Sequence, residues 1–275
     1  MKRRPLLLLS LTITVALAAA WPMTALAASL PRLGTTTNFA VLAGSTITNT
    51  GATTINGDVG LHPGTAVTGF PPGIINGASH YTDAVALQAK NDLVTAYNDT
   101  ASQTPFVDLT GKDLGNLNLT PGVYRFSSSA QLTGPLTLSG FGAFIFQIGS
   151  SLTTASASSV ILTNGAQACG VYWQVTSSAT FGSTTAFQGT VMALSSITMN
   201  AGATIIGRAL ARNGAVTMIQ NTITRPAASC ASLPFTGVPL ELRGGFPWQL
   251  VLIGVGGGLG ALALGFSVRA RRRTA

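Results

Sequence analysis

The residues of this chain whose type and spacing could do chemistry are threonines. Thr180, Thr198 and Thr217 recur at steps of 18 and 19 residues. Each sits at the centre of an apolar triplet: Ala179-Thr180-Phe181, Ile197-Thr198-Met199 and Val216-Thr217-Met218. Phe187, Ile205 and Ile223 form a second column in step with the first. The chemistry such a row offers is recognition. A threonine carries a hydroxyl and a methyl on a β-branched stem with few rotamers. On a rigid support, a row of them makes a patterned surface that loses little freedom on binding. The plainer alternative for each is a good strand residue with a solvated hydroxyl.

Catalysis has little material to work with. Between residues 28 and 236 there is no glutamate, and the six aspartates are Asp58, Asp83, Asp92, Asp99, Asp108 and Asp113. Three fall on one predicted helix and the others are unpaired in sequence, whereas acid–base chemistry on glycans needs two carboxylates close together. His62 and His80 lie in loop-like segments without metal-ligand spacing to a cysteine. The expectation is a protein that is not an enzyme and has no metal and no cofactor.

The elements that must position the threonines are short strands. Runs of four to six apolar residues alternate with Gly, Asn and Ser turns too short for a crossover helix, the pattern of a chain winding as a parallel β-coil. Upstream, Gly122–Phe126 with its trailing Leu132-Thr133 matches Gly142–Phe146 with Leu152-Thr153, at a step of 20. Val171–Val175 matches Phe144–Ile148 at 27. The predicted ladder is therefore Thr133, Thr153, Thr180, Thr198 and Thr217, about 4.8 Å apart. A β-sandwich with Thr-rich strands is the alternative. One segment breaks the pattern. Residues 82–101 lack Gly and Pro, and Ala86, Leu93 and Tyr97, with Leu87, Val94 and Ala101 beside them, share one side of a helix. At about 30 Å that helix is as long as six coils and suits a place alongside the stack.

The formal net charge of +8 is carried by the ends. Residues 28–236 hold seven basic and six acidic side chains, a balance of +1 that argues against nucleic acid. Residues 1–27 read as a secretory signal peptide, with Lys2-Arg3-Arg4, an apolar Leu6–Ala20 and the small-x-small site Ala25-Leu26-Ala27. Two cysteines, Cys169 and Cys230, in an exported chain favour one disulfide. It would close a loop of about 60 residues and contribute about 4 kcal/mol on a chain-entropy account; two free thiols are the alternative.

After a short linker (227–232), residues 233–275 present Leu233-Pro234-Phe235-Thr236-Gly237, an apolar span over 248–268, and a basic tail over 269–275. This order resembles the cell-wall sorting signal of Gram-positive bacteria. The resemblance implies that sortase cuts between Thr236 and Gly237 and joins the threonine to peptidoglycan, leaving the protein covalently anchored in the wall after a membrane-spanning stage.

Residues 33–226 resemble the microbial ice-binding family known as DUF3494. The motifs that carry the likeness are Asn56-Gly57-Asp58-Val59-Gly60, Pro121-Gly122-Val123-Tyr124, Val171-Tyr172-Trp173-Gln174-Val175 and Gly207-Arg208-Ala209-Leu210-Ala211. The likeness implies a mainly β fold, a discontinuous right-handed parallel β-helix, triangular in section, with one long helix alongside. Its first segment is expected to pack on the last coils. It also implies ice binding through one flat face, often with Thr-Ala/Gly-x-Thr/Asn where coils turn. Thr50-Gly51-Ala52-Thr53 fits that pattern, Ala201-Gly202-Ala203-Thr204 has Ala first, and Gly182-Ser183-Thr184-Thr185 departs from it. Thr50, Thr53 and Thr204 thus join the ladder as candidates. The expectation is a wall-anchored, non-catalytic binder of ice or another ordered surface; the alternative is an adhesin of the same fold that binds glycan or another cell.

Overall fold

Strands this short, joined by tight corners, cannot fold back on their sequence neighbours, so each pairs with the strand one coil away. The computed structural model describes residues 28–226. Within it every strand pairing is parallel, in three faces. One face runs through Gln131, Thr153, Thr180, Thr198, Thr217, Thr48 and Thr68 on seven strands. A second is built on Gly122–Phe126, Phe144–Ile148, Val171–Val175 and Phe39–Ala43, among others, and lies under the helix. The third includes Pro135–Ser139, Ser159–Thr163, Thr222–Thr224 and Thr54–Asn56.

The strands Ala186–Ala193 and Thr204–Ala211 run unbroken through the corner between the second and third faces. Gly189 and Gly207 pair at that bend with φ of 107° and 159°. A Cβ on Gly207 would stand 1.8 Å from the Gly189 carbonyl oxygen, so the corner admits no side chain there.

The coil sequence is discontinuous. Residues 39–81 make the first coils, the helix follows, and the chain then restarts at the opposite end and winds back. Leu42 pairs with Leu210, Thr48 with Thr217 and Ile55 with Ile223, so the first coil covers the exposed edge of the last.

Between the faces lies a dry core with an aromatic stack. Tyr124, Phe146 and Trp173 occupy successive coils in register. Their ring centroids are 5.4 and 3.9 Å apart, and Phe187 closes on Trp173 at 4.8 Å. Tyr172 points the other way, toward the helix, with Ile145, Met192 and Leu210. The second face is thus buried on both sides, which is why its strands read as unbroken apolar runs.

The helix spans Ala84–Ala101, and Asp83 caps it by accepting from Ala86 N at 2.7 Å. Its buried stripe is Ala86, Ala89, Lys90, Leu93, Ala96, Tyr97 and Thr100. Leu87 is 44% exposed and Ala101 is exposed. Of the residues expected beside the stripe, Val94 is half-buried but Leu87 and Ala101 face out: the buried face is centred on Ala86, Ala89, Leu93, Ala96 and Tyr97, which turns Leu87 and Ala101 away from the wall.

Lys90 is buried, and its Nζ donates to the carbonyls of Ala211, at 2.7 Å, and Arg212. Burial, with the nearby Arg212, lowers its pKa from 10.5 to about 8. Because the folded value lies below the unfolded one, the unfolded chain binds more protons between them, and stability rises as pH climbs from 8 toward 10.5. Denaturation from pH 8 to 9.5 should show a gain of up to about 2 kcal/mol that Lys90→Met lacks. Parallel pH curves for the two proteins would refute this assignment.

The coil register also corrects one expectation. Gly122 pairs with Phe144, not Gly142, a slip of two residues from the motif alignment. Gly142 lies in the preceding turn, with φ 147°. The signal peptide, the linker, Cys230, the sorting motif, the apolar span and the basic tail lie outside the described residues. Cys169 is disulfide-bonded. Among the described residues no helix is long and apolar enough to cross a membrane.

Candidate functional site

The first face carries an outward row of six threonines: Thr153, Thr180, Thr198, Thr217, Thr48 and Thr68, paired strand to strand without a gap. At coil spacing the row is about 24 Å long. Gln131 continues it at one end and pairs with Thr153. Other outward positions are Thr46, Thr50, Ile219 and Ala66, and from Gln131 to Thr68 the face has no charged side chain.

Rigidity comes from beneath and from both corners. Inward neighbours of the row include Leu152, Phe181, Ile197, Met199, Val216, Met218 and Ile47, all fully buried. At the corner preceding the row, serines stitch coil to coil. Ser129 and Ser151 share a 2.9 Å hydroxyl bond, Ser196 N donates to Ser178 Oγ at 3.3 Å, and Ala215 N donates to Ser196 Oγ at 3.1 Å. At the corner following it, buried polar groups satisfy the turns. Asn221 Nδ2 donates to the carbonyls of Asn200 and Ala203 at 2.8 and 3.0 Å, and its Oδ1 accepts from Ile219 N at 2.6 Å. Thr154 and Thr185 share a 2.9 Å bond between hydroxyls. Backbone held this way on both flanks keeps the threonines in plane.

The predicted candidates divide in the fold. Thr153, Thr180, Thr198 and Thr217 lie on the row, and Thr50 lies at its edge, exposed, two residues beyond Thr48. Thr133 does not join. The two-residue slip places Gln131 in that position, and Thr133 instead donates through Oγ to Asp113 Oδ2 at 2.8 Å. Thr53 is fully buried and its hydroxyl accepts from Asn221 N at 3.0 Å, so the Thr-Gly-Ala-Thr pattern is a corner whose last threonine points inward. Thr204 is exposed but stands on the third face, paired with Ala186 and Thr222. Thr48 and Thr68 were missed. Their signal was partial: Ile47-Thr48 and Val67-Thr68 repeat the apolar-Thr step, but Asn49 and Gly69 stand where the other triplets have an apolar residue, and a helix separates both from the others in sequence.

Five of the six aspartates use their carboxylates to hold the fold. Asp58 accepts from Ala78 N, Asp83 from Ala86 N, Asp92 from Thr35, Asp108 from Thr110, and Asp113 from Gly115 N and Thr133. Burial works to raise the Asp113 pKa, but the hydrogen bonds from Gly115 and Thr133 outweigh it and hold the group below its usual range. His80 pairs with Asp83 at 2.8 Å. Among the described residues no three His, Cys, Asp or Glu side chains gather as a metal would require. What the arrangement offers is a flat, neutral, mixed methyl and hydroxyl surface.

Comparison with known proteins gives the following. The model of the ice-binding-like family matches residues 41–224. An ice-binding protein of Nostoc sp. (strain HG1) is 56% identical over 203 residues, covering 72% of this chain and 75% of the relative. One from Flavobacterium frigoris is 35% identical over 213 residues, covering 72% and 77%. Among solved structures, an ice-binding protein from an Antarctic biological consortium superposes with a TM-score of 0.70 at 50% identity, covering 79% of this chain and 96% of that one. The ice-binding protein of the ascomycete Antarctomyces psychrotrophicus gives 0.70 at 41%, covering 72% and 99%.

Proposed function

This chain belongs to the ice-binding-like family, and we propose that it binds ice, without catalysis, through the threonine face. The observation that carries the reading is the unbroken row of six outward threonines on an uncharged sheet. Ice offers hydroxyl-like donors and acceptors in a flat periodic array. A β-branched row held by a packed core meets such an array with little rotamer freedom left to lose. That relatives over most of the chain are ice-binding proteins supports the same reading. The test is partition: fluorescently labelled exported domain should be engulfed by slowly growing ice and should shape the crystal. A label pushed ahead of the ice front would refute the reading.

The anchoring is also our reading, and it rests on sequence alone. The leader over residues 1–27 directs export, and Leu233-Pro234-Phe235-Thr236-Gly237, followed by the apolar span and the arginines, hands the protein to sortase and then to peptidoglycan. Thr236→Ala should move most of the protein from the wall fraction to the detergent-soluble membrane fraction. An unchanged distribution would remove sortase from the account.

A further inference from the structure

Where the helix ends, the face beneath it changes character. The outward column that carries Leu42, Leu210 and Met192 under the helix continues, strand by strand, as Gln174, Gln147, Arg125 and Asp108. Apolar side chains would be left uncovered there, and the column turns polar. A cavity of about 220 Å³ opens at this place, lined by Arg125, Ser127, Gln147, Gln174 and Thr176, with Ala101 of the helix at its rim.

Two of the polar groups, Gln147 and Gln174, are buried, while Arg125, Ser127 and Thr176 are exposed at the mouth. Gln147 Nε2 donates to the carbonyls of Thr100 and Gln103, both at 2.9 Å. That bond pair holds the amide nitrogen to the end of the helix, and the side chain lines the cavity. Gln174 is 3% exposed and lies beside Tyr97, whose hydroxyl donates to the Val175 carbonyl at 3.3 Å. Arg125 is exposed and stacks over the Phe106 ring at 4.8 Å, with Asp108 opposite it on the neighbouring strand.

The lining selects a chemical class. Arg125 is the one charged side chain of the lining, and it feels the Asp108 carboxylate on the paired strand, so the lining offers a single, partly offset charge that suits a neutral ligand better than a polyanion. Two amides, two hydroxyls and a guanidinium line the one cavity, which suits a molecule with several hydroxyls. The volume is below the roughly 300 Å³ where drug-sized sites begin, which suits a single ring. We propose that this cavity binds a neutral sugar, one pyranose unit at a time. It lies on the helix-covered side and shares none of the threonine row, so the proposal stands apart from ice binding.

The test is a titration of the exported domain with glucose, galactose and N-acetylglucosamine, followed by the side-chain amide resonances of Gln147 and Gln174. A saturable shift with at least one sugar is expected, with Kd on the order of 1 mM. Arg125→Ala and Gln174→Leu should each weaken it about ten-fold and leave ice shaping unchanged. Arg125 is exposed, so its variant carries the test if Gln174→Leu disturbs the helix through Tyr97. A linear trisaccharide of the bound sugar that binds equally well identifies a glycan end as the source, and one that is excluded identifies free sugar; both uphold the site. No saturable shift up to on the order of 100 mM, an undiminished shift in Arg125→Ala, or a stronger response to sulfate would overturn it.

Discussion

Thr198→Tyr is expected to reduce thermal hysteresis of the exported domain by ten-fold or more, with little change in stability. Thr198 is central in the row, between Thr180 and Thr217. A phenol ring there stands above the plane and separates the surface from ice over several coils, so one substitution removes the contacts of its neighbours as well. Central contacts of an interface are commonly worth about 2 kcal/mol or more, enough for the stated loss. The side chain points outward, while its neighbours Ile197 and Met199 are fully buried. The core is therefore untouched and the unfolding free energy should move by no more than about 0.5 kcal/mol. The matched control is Thr204→Tyr, which adds the same ring to the third face and should keep full activity. If Thr204→Tyr loses activity and Thr198→Tyr keeps it, the ice-facing surface is the third face.

Trp173→Ala should have the largest effect on stability. The indole is fully buried, lies 3.9 Å from Phe146 with an interplanar angle of 8°, and donates through Nε1 to the Gln188 carbonyl at 3.0 Å. Truncation opens a cavity that neighbouring coils cannot close, because their backbones are hydrogen-bonded on both sides. Loss of such an aromatic costs about 3–5 kcal/mol, and the orphaned carbonyl adds about 1 kcal/mol. In a domain of this size the midpoint of thermal unfolding should fall by about 10 °C or more. Trp173→Phe keeps the stack and should lose less than half as much. A drop below about 1 kcal/mol for the alanine variant would mean that the stack is not a principal support of the coils.

Much of this was legible in the sequence, for local reasons. The triplets around Thr180, Thr198 and Thr217 repeat because consecutive coils differ little in length, so their register could be read by counting, and it agrees with the strand pairing. The helix announced itself by a change of period over a stretch without Gly or Pro, and the structure places it over Ala84–Ala101. Counting failed where corner lengths varied. Between Gly122–Phe126 and Phe144–Ile148 the true step is 22 residues, and a glycine that belongs to a turn drew the alignment two residues short. That even slip kept inside and outside right but moved Thr133 off the strand and into the grip of Asp113.

What the sequence by itself determined, then, is the repeating unit: a short strand with apolar residues inward and a threonine outward, a corner of small polar residues, and one helix too long to belong to the coil. Those features are set by alternation, helical period and turn chemistry, all of which act within a few residues. The tertiary structure decided which units lie side by side. Thr48 joins Thr217 across a separation that includes the helix and most of the coils. Thr53 turns inward because Asn221 stands ready to donate to it. Leu87 stays outside because the face that packs on the wall is centred on Ala86, Ala89, Leu93, Ala96 and Tyr97. Each of these depends on a partner more than one coil away in the chain, and strand pairing between distant segments is settled by the packing of the whole stack rather than by any local signal.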